Sequence, residues 1–175
     1  SSPNTAGLRD LQGAETLAGL LLRVRNKREK LRDRHGRNVA LALKIAPDLD
    51  DAQIRDIAAV ARREKIDGIV ATNTTVSREG ALHLPRGQEQ GGLSGAPLRE
   101  RSTRVLRVLS RELHGEIPLI GVGGILSGAD AVEKLDAGAT LVQVYTGLIY
   151  RGPQLVAECV SACLERSRTA SSASR

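Results

Sequence analysis

A lysine inside an apolar run, several glycine-rich turns and a series of polar strand ends carry what chemistry this sequence can do. Lys44 sits in Leu41-Ala-Leu-Lys-Ile45, which is otherwise apolar. Burying an unpaired ammonium is costly, so such a lysine needs an acceptor. A structural carboxylate or a bound ligand would serve, and the strand alone leaves both open. Gly121-Val-Gly-Gly124 and Tyr145-Thr-Gly147 each follow an apolar run. Backbone N–H groups in such turns can face an anion, and glycine permits its close approach. Phosphate is the ligand this favours, with a plain tight turn as the competing reading. Gly91-Gly-Leu-Ser-Gly95 lies in a polar stretch from Asn73 to about Pro97, longer than ordinary connections. Such segments are lids, ligand loops or linkers, and the apolar Leu93 speaks against a free linker.

Other chemistries find little support. Cys159 and Cys163 fall on one helical face, where they cannot easily pair, and no Cys-x-x-Cys or nearby histidine accompanies them. They read as small buried residues. His35, His83 and His114 are scattered through polar or turn-like contexts, so no metal is expected. The net charge is +6. It concentrates in the stretch up to and including Arg37, with nine basic against four acidic side chains, and in the end from Arg166 onward. The basic stretch has no aromatic residue to stack on bases. It reads as a solvated helix face, and no nucleic-acid partner is expected.

The elements that must position these residues alternate. Leu17 to Leu31 reads as a helix with a basic outer face, and Val39 to Ile45 as a buried strand. Asp50 or Asp51 can cap a helix carrying Ile54, Ile57, Ala58 and Ala61 at helical spacing. Asp67 to Thr72 is a second strand. Leu98 to Leu113 is a helix with Val105, Leu106, Leu109 and Leu113 on one side. Ile117 to Val122 is a third strand. Ser127 with Asp130 resembles a capping box, and Gly138 suits the end of that helix. Thr140 to Val144 is a fourth strand, and a last helix runs from about Pro153 to Arg166. The Ser/Ala tail, residues 167–175, is expected to be disordered.

Strand–helix alternation predicts an α/β fold with a parallel sheet. An open doubly wound sheet would need Gly-x-Gly-x-x-Gly after its first strand, and Gly121-Val-Gly-Gly124 lacks the third glycine. A (β/α)8 TIM barrel takes about 250 residues, and the chain has 175. Residues 1–166 are therefore predicted to be the second half of such a barrel, with about four parallel strands. The absence of any methionine fits a fragment or a processed product. Barrel sites gather at C-terminal strand ends. Here those ends are Ser1 to Arg9, Lys44 to Asp48, Thr72 to Thr75, Gly121 to Gly124 and Gln143 to Gly147.

At those ends the residues resemble a family. Ser1-Ser-Pro-Asn-Thr-Ala-Gly-Leu-Arg9, Lys44-Ile-Ala-Pro-Asp-Leu49, Ala71-Thr-Asn-Thr-Thr75, Gly91-Gly-Leu-Ser-Gly95, Ile120-Gly-Val-Gly-Gly124 and Leu141-Val-Gln-Val-Tyr-Thr146 together look like the class 2, quinone-dependent dihydroorotate dehydrogenases. The resemblance covers nearly all of Ser1 to about Arg166. It implies an FMN-dependent oxidation of dihydroorotate to orotate in pyrimidine (UMP) synthesis, with ubiquinone or menaquinone as acceptor. By the same resemblance, Ser2 is the catalytic base that takes the C5 proton while hydride leaves C6 for the flavin. Asn4, Asn73 and Thr74 are orotate ligands, and Thr5 lies beside the proton path. Lys44 reaches the pyrimidine edge of the flavin. Thr72, Gly95 and Gly124 contact FMN, with Ser94 and Gly123 adjacent, and Tyr145 and Thr146 hold its phosphate.

The family's front half has no counterpart in this sequence. That half includes the helical segment that forms the quinone entrance and rests on the membrane. The resemblance thus implies peripheral membrane association through that segment, at a bacterial cytoplasmic membrane or a mitochondrial inner one. The isolated chain is expected to be insoluble or inactive. Class 1 relatives with another acceptor carry cysteine where Ser2 stands. A non-catalytic phosphate-binding module would leave Ser2, Asn4, Asn73 and Lys44 without a reason.

Overall fold

Apolar stripes at helical spacing settle the packing. The computed structural model describes residues 1–173. In α1 (Ala14–His35), Leu17 and Leu21 are buried while most of the arginines and lysines stay outside. In α2 (Asp51–Arg63), Ile54, Ile57, Ala58 and Ala61 form one buried stripe. In α3 (Arg99–Leu113), Val105, Leu106, Leu109 and Leu113 form another. These stripes pack with Ile45, Ile69, Ala71 and Leu119 into one core. Each fully buried Leu or Ile contributes about 1.5–3 kcal/mol.

The strands are β1 (Ala42–Ile45), β2 (Gly68–Ala71), β3 (Leu119–Val122) and β4 (Leu141–Gln143). They form one parallel sheet in the order β1-β2-β3-β4. Registry places Lys44, Val70, Ile120 and Leu141 in one row. Because side chains alternate along a strand, this row faces away from the core that Ile45, Ile69 and Ala71 enter. The remaining helices are α4 (Gly128–Asp136), α5 (Thr146–Arg151) and α6 (Gln154–Ala173). Ile125, Ala131, Leu155 and Cys159 make a second, smaller core under β4. Cys163 is only half-buried beside it.

Local signals set the boundaries. Asp50 and Gln53 close a capping box, with Gln53 N–H donating to Asp50 Oδ1 at 2.8 Å and Asp50 N–H to Gln53 Oε1 at 2.9 Å. That reciprocal pair satisfies two of the helix's orphan donors. Ser127 caps α4 from its hydroxyl, but the second half of a box is absent: the Asp130 carboxylate takes the N–H of Leu126 instead.

Three expectations need correction. The first strand begins at Ala42 rather than Val39, and Val39 is 66% exposed. β1 pairs only with β2, so its outer side lacks a neighbour among the described residues. For the same reason Lys44 is exposed, and no buried ammonium demands a partner there. The tail expected to be disordered from Ser167 continues α6 as far as Ala173. Arg166 anchors that stretch on Asp136 at 2.5 Å, and alanine favours helix. Residues 174–175 lie outside the described residues. α5 went unforeseen because six residues are too short to show a period.

Candidate functional site

The C-terminal ends of the strands open into a cavity of about 290 Å³. Lys44, Thr72, Asn73, Thr74, Ser94, Gly95, Gly123, Gly124, Tyr145 and Thr146 line it. The fold thus brings together every singled-out residue except Ser2, Asn4 and Thr5. Leu98, Ile125, Gln143 and Val144 complete the wall and were not singled out. No aspartate or glutamate borders the cavity among the described residues, and Lys44 is its one charged group. A wall of amide, hydroxyl and ammonium groups suits an anion or a hydrogen-bonding heterocycle.

The glycines are there for space. Gly124 has φ +75°, and a Cβ on it would lie 2.5 Å from Arg99 Cα and 2.7 Å from Arg99 N. Gly123 has φ +119°, and its Cβ would meet Ser102 Oγ at 3.0 Å. The turn therefore rests directly on the first turn of α3. Across the cavity, Thr146 Oγ1 donates to Ser94 Oγ at 3.0 Å. This bond joins the Gly91–Gly95 loop to the start of α5, whose first N–H groups have no partner within the helix. Tyr145 precedes them and is 75% exposed.

The long loop does not float. Thr75 and Leu93 form an antiparallel bridge, with N–H to O distances of 3.0 and 2.8 Å. Gly92 then packs so close that a Cβ would stand 2.6 Å from Thr74 Cβ and 3.0 Å from Pro3 Cγ. That contact brings the Ser2–Asn4 loop to the cavity's rim. Ser2 is half-buried, and its Oγ accepts the Asn4 N–H at 3.2 Å. Asn73 is oriented from both ends. Its Nδ2 donates to Ser1 Oγ at 3.1 Å, and its Oδ1 accepts the Thr74 N–H at 2.8 Å.

Charged networks that sequence reasoning missed stand behind this rim. Asp48 accepts from Arg9 at 2.7 Å, from Val76 N–H at 3.0 Å and from the Thr75 hydroxyl. Burial pushes its carboxyl up, but those hydrogen bonds outweigh burial and hold it below the usual value. Asp130 behaves likewise. Burial raises it, while Leu126 N–H, the Ser127 hydroxyl and Arg99 together lower it. Lys134 is wholly buried, and burial lowers its ammonium to about 8. In Ala131-Val-Glu-Lys-Leu135 it resembles a solvent-facing charge. The available signal was its position three residues after Ala131, on the buried face of α4.

Comparisons with known proteins converge. The sequence model of the family described as dihydroorotate dehydrogenase matches residues 1–166. A dihydroorotate dehydrogenase (quinone) of Chromobacterium violaceum is 60% identical over 162 residues, covering 93% of this chain and 47% of the relative. The enzyme of that name from Thiobacillus denitrificans is 59% identical over 160 residues, covering 91% and 48%. A crystal structure of DHODH from Eimeria tenella in complex with ferulenol superposes with a TM-score of 0.90 at 38% identity. It covers 98% of this chain and 49% of that one. The chain therefore spans about half the length of the relatives it matches. Its sheet and helices are part of a TIM barrel, as the strand–helix alternation predicted.

Proposed function

Because this chain belongs to the dihydroorotate dehydrogenase family, we propose that it forms the phosphate-binding and substrate-loop part of an FMN enzyme. That enzyme oxidises dihydroorotate to orotate in pyrimidine biosynthesis and passes the electrons to a quinone. The observation that carries this reading is the single cavity lined by Lys44, Asn73, Thr74, Gly95, the Gly123–Gly124 turn and Thr146. FMN fits the residues present: the wall offers amide, hydroxyl and ammonium groups, and among the described residues no carboxylate borders the cavity.

When bound, FMN supplies the hydride acceptor. The chain's residues do the rest. The Gly123–Gly124 turn and Thr146 hold the phosphate, and Thr72 and Ser94 flank the same wall. Lys44, on a flexible stem at the open face, would meet the pyrimidine edge of the flavin and favour negative charge there. Asn73 and Thr74 bind orotate from one side and Asn4 from the other. Ser2 takes the substrate proton. A serine hydroxyl is a weak base at its free pKa, so the loop must pass that proton onward, with Thr5 next to the path. Membrane association, at a bacterial or mitochondrial inner membrane, would come from a segment outside this sequence. No described helix is long and apolar enough to cross a membrane.

The test is flavin binding. FMN titrated into the chain and followed by flavin fluorescence is expected to bind more tightly than riboflavin. Orotate is then expected to perturb the bound flavin spectrum, and Asn73→Ala to abolish that response while FMN stays bound. Equal affinity for the two flavins overturns the phosphate site. Dihydroorotate-dependent dye reduction by the 175-residue chain alone is expected to be absent.

A further inference from the structure

Lys134 has no place in the chemistry above, yet it is the largest wholly buried side chain among the described residues. Its ammonium donates to Arg99 O at 2.9 Å, Ser102 Oγ at 2.7 Å and Thr103 Oγ1 at 2.6 Å. All of an ammonium's donors are thereby used, and every acceptor is neutral. No carboxylate bonds to it. The acids around it are taken by other partners: Asp130 by Arg99 at 2.8 Å, and Glu133 by Arg99 at 3.6 Å and Arg107 at 3.9 Å. From β3, Gly121 faces the lysine and brings no charge. Two acids and two arginines offset one another around this group, leaving a hydrogen-bonded but electrically uncompensated cation in the interior. Such a charge is expensive to keep unless something uses it.

The direction in which it is wired shows the use. Thr103 Oγ1 and Lys134 both donate to Arg99 O. Ser102 Oγ accepts from Lys134 and stands 3.1 Å from Gly123 O. The cation is therefore two hydrogen bonds behind the Gly123–Gly124 turn, on the side away from the cavity. It also fastens the first turn of α3, on which that turn rests.

We propose that Lys134 is the buried counter-cation of the phosphate held at the Gly123–Gly124 turn, a positioning residue that acts through Ser102 and the first turn of α3 without touching the ligand. The inference rests on the phosphate-binding reading above and deepens it. A cation in a low-dielectric interior attracts an anion across a few ångströms far more strongly than one in water. Its own burial, by lowering its proton affinity to about 8, then links anion binding to proton binding. A phosphate monoester has its second pKa near 6 and takes up no proton of its own at such a pH.

Two measurements on the 175-residue chain test this. In the first, FMN and riboflavin are titrated into the chain and into Lys134→Met, which keeps the length of the side chain without its charge. FMN affinity is expected to fall about tenfold or more, the scale of a lost charge interaction, with riboflavin affinity unchanged. If the two affinities fall together, Lys134 only maintains the fold and the proposal fails. If FMN keeps its full advantage in the variant, the proposal fails while the phosphate site stands. If the unsubstituted chain binds both flavins equally, the phosphate site itself is wrong. The second measurement needs no variant. Calorimetry of FMN binding at a pH near 8, in buffers of different ionisation enthalpy, is expected to show proton uptake that riboflavin does not produce. Absence of that uptake overturns the proposal even where Lys134→Met does not fold.

Discussion

Arg9 Nη1 lies 2.7 Å from Asp48 Oδ2, while Nη2 of the same guanidinium lies 2.7 Å from Thr74 O. One planar side chain thus fastens the loop bearing Ser2 and Asn4 to the ends of β1 and β2. Lysine cannot reproduce that fork. Arg9→Lys is expected to cost about 1–3 kcal/mol, because the ammonium keeps the charge but cannot serve Asp48 and Thr74 O together, leaving one acceptor in a half-buried site unpaired. The loss should appear as a lower urea midpoint. Faster hydrogen exchange in residues 1–9 should accompany it, with exchange in α2 and α3 following global stability only.

Asp48 and Asp130 both titrate below their usual value when folded. An unfolded aspartate titrates near 3.9. The stability they contribute is therefore complete above that pH and is lost as pH falls through the folded values. Urea midpoints measured from about pH 6 downward should drop below about pH 4. Asp48→Asn should flatten part of that drop. Lys134 gives a slope of the same sign at higher pH, but as a penalty relieved rather than a gain lost. Its lowered value means the unfolded chain holds more protons above about 8, so its burial penalty eases as pH rises toward the free lysine value.

Gly124 and Gly36 separate crowding from conformation. Both have positive φ, at +75° and +66°. Nothing lies within 4 Å of a Cβ placed on Gly36, whereas one on Gly124 runs into the Arg99 backbone. Gly36→Ala should cost about 1 kcal/mol, from its left-handed backbone alone. Gly124→Ala should cost more than twice that, about 3 kcal/mol or above, since backbone must move. It should also abolish the preference for FMN over riboflavin. Denaturant titration and flavin binding on the same samples check both.

Lys44→Met should leave stability within about 0.5 kcal/mol, because the ammonium is exposed and has no protein partner to lose. FMN affinity should fall about fivefold or more, with the loss shared equally by riboflavin, since this lysine is assigned to the ring and not the phosphate. That pattern is the reverse of the one expected at Lys134. A comparison of the two variants therefore maps which end of the ligand each cation serves.

The helices and turns were legible because their signals are local. The α2 and α3 stripes repeat at helical spacing, Asp50 is one of two candidate caps, and glycines mark the turns. What could not be read depends on sheet order. Val39 to Leu41 has the composition of a buried strand, but β1 is an edge and that stretch lies outside it. Lys44 looked like a costly buried charge for the same reason. Lys134 was the converse. A lysine after a glutamate in a helix reads as solvated, and only the packing of α4 against α3 puts it inside. The Arg9–Asp48 fork joins residues that no local pattern relates.

The strand order β1-β2-β3-β4 follows the chain without a skip. Each new strand docks on the one made just before it, through a helix that covers the join. The sheet can therefore grow in the direction of synthesis, as each strand–helix unit leaves the ribosome, without waiting for a distant partner. The loop with Ser2 and Asn4 precedes β1 but gains its anchors only when Asp48 and Thr74 have followed. The Gly123–Gly124 turn and Thr146 come later still. Completion of the cavity is thus a late event on a scaffold already largely in place, and a chain stalled before α4 would carry most of the larger core but lack the Gln143–Thr146 side of the cavity.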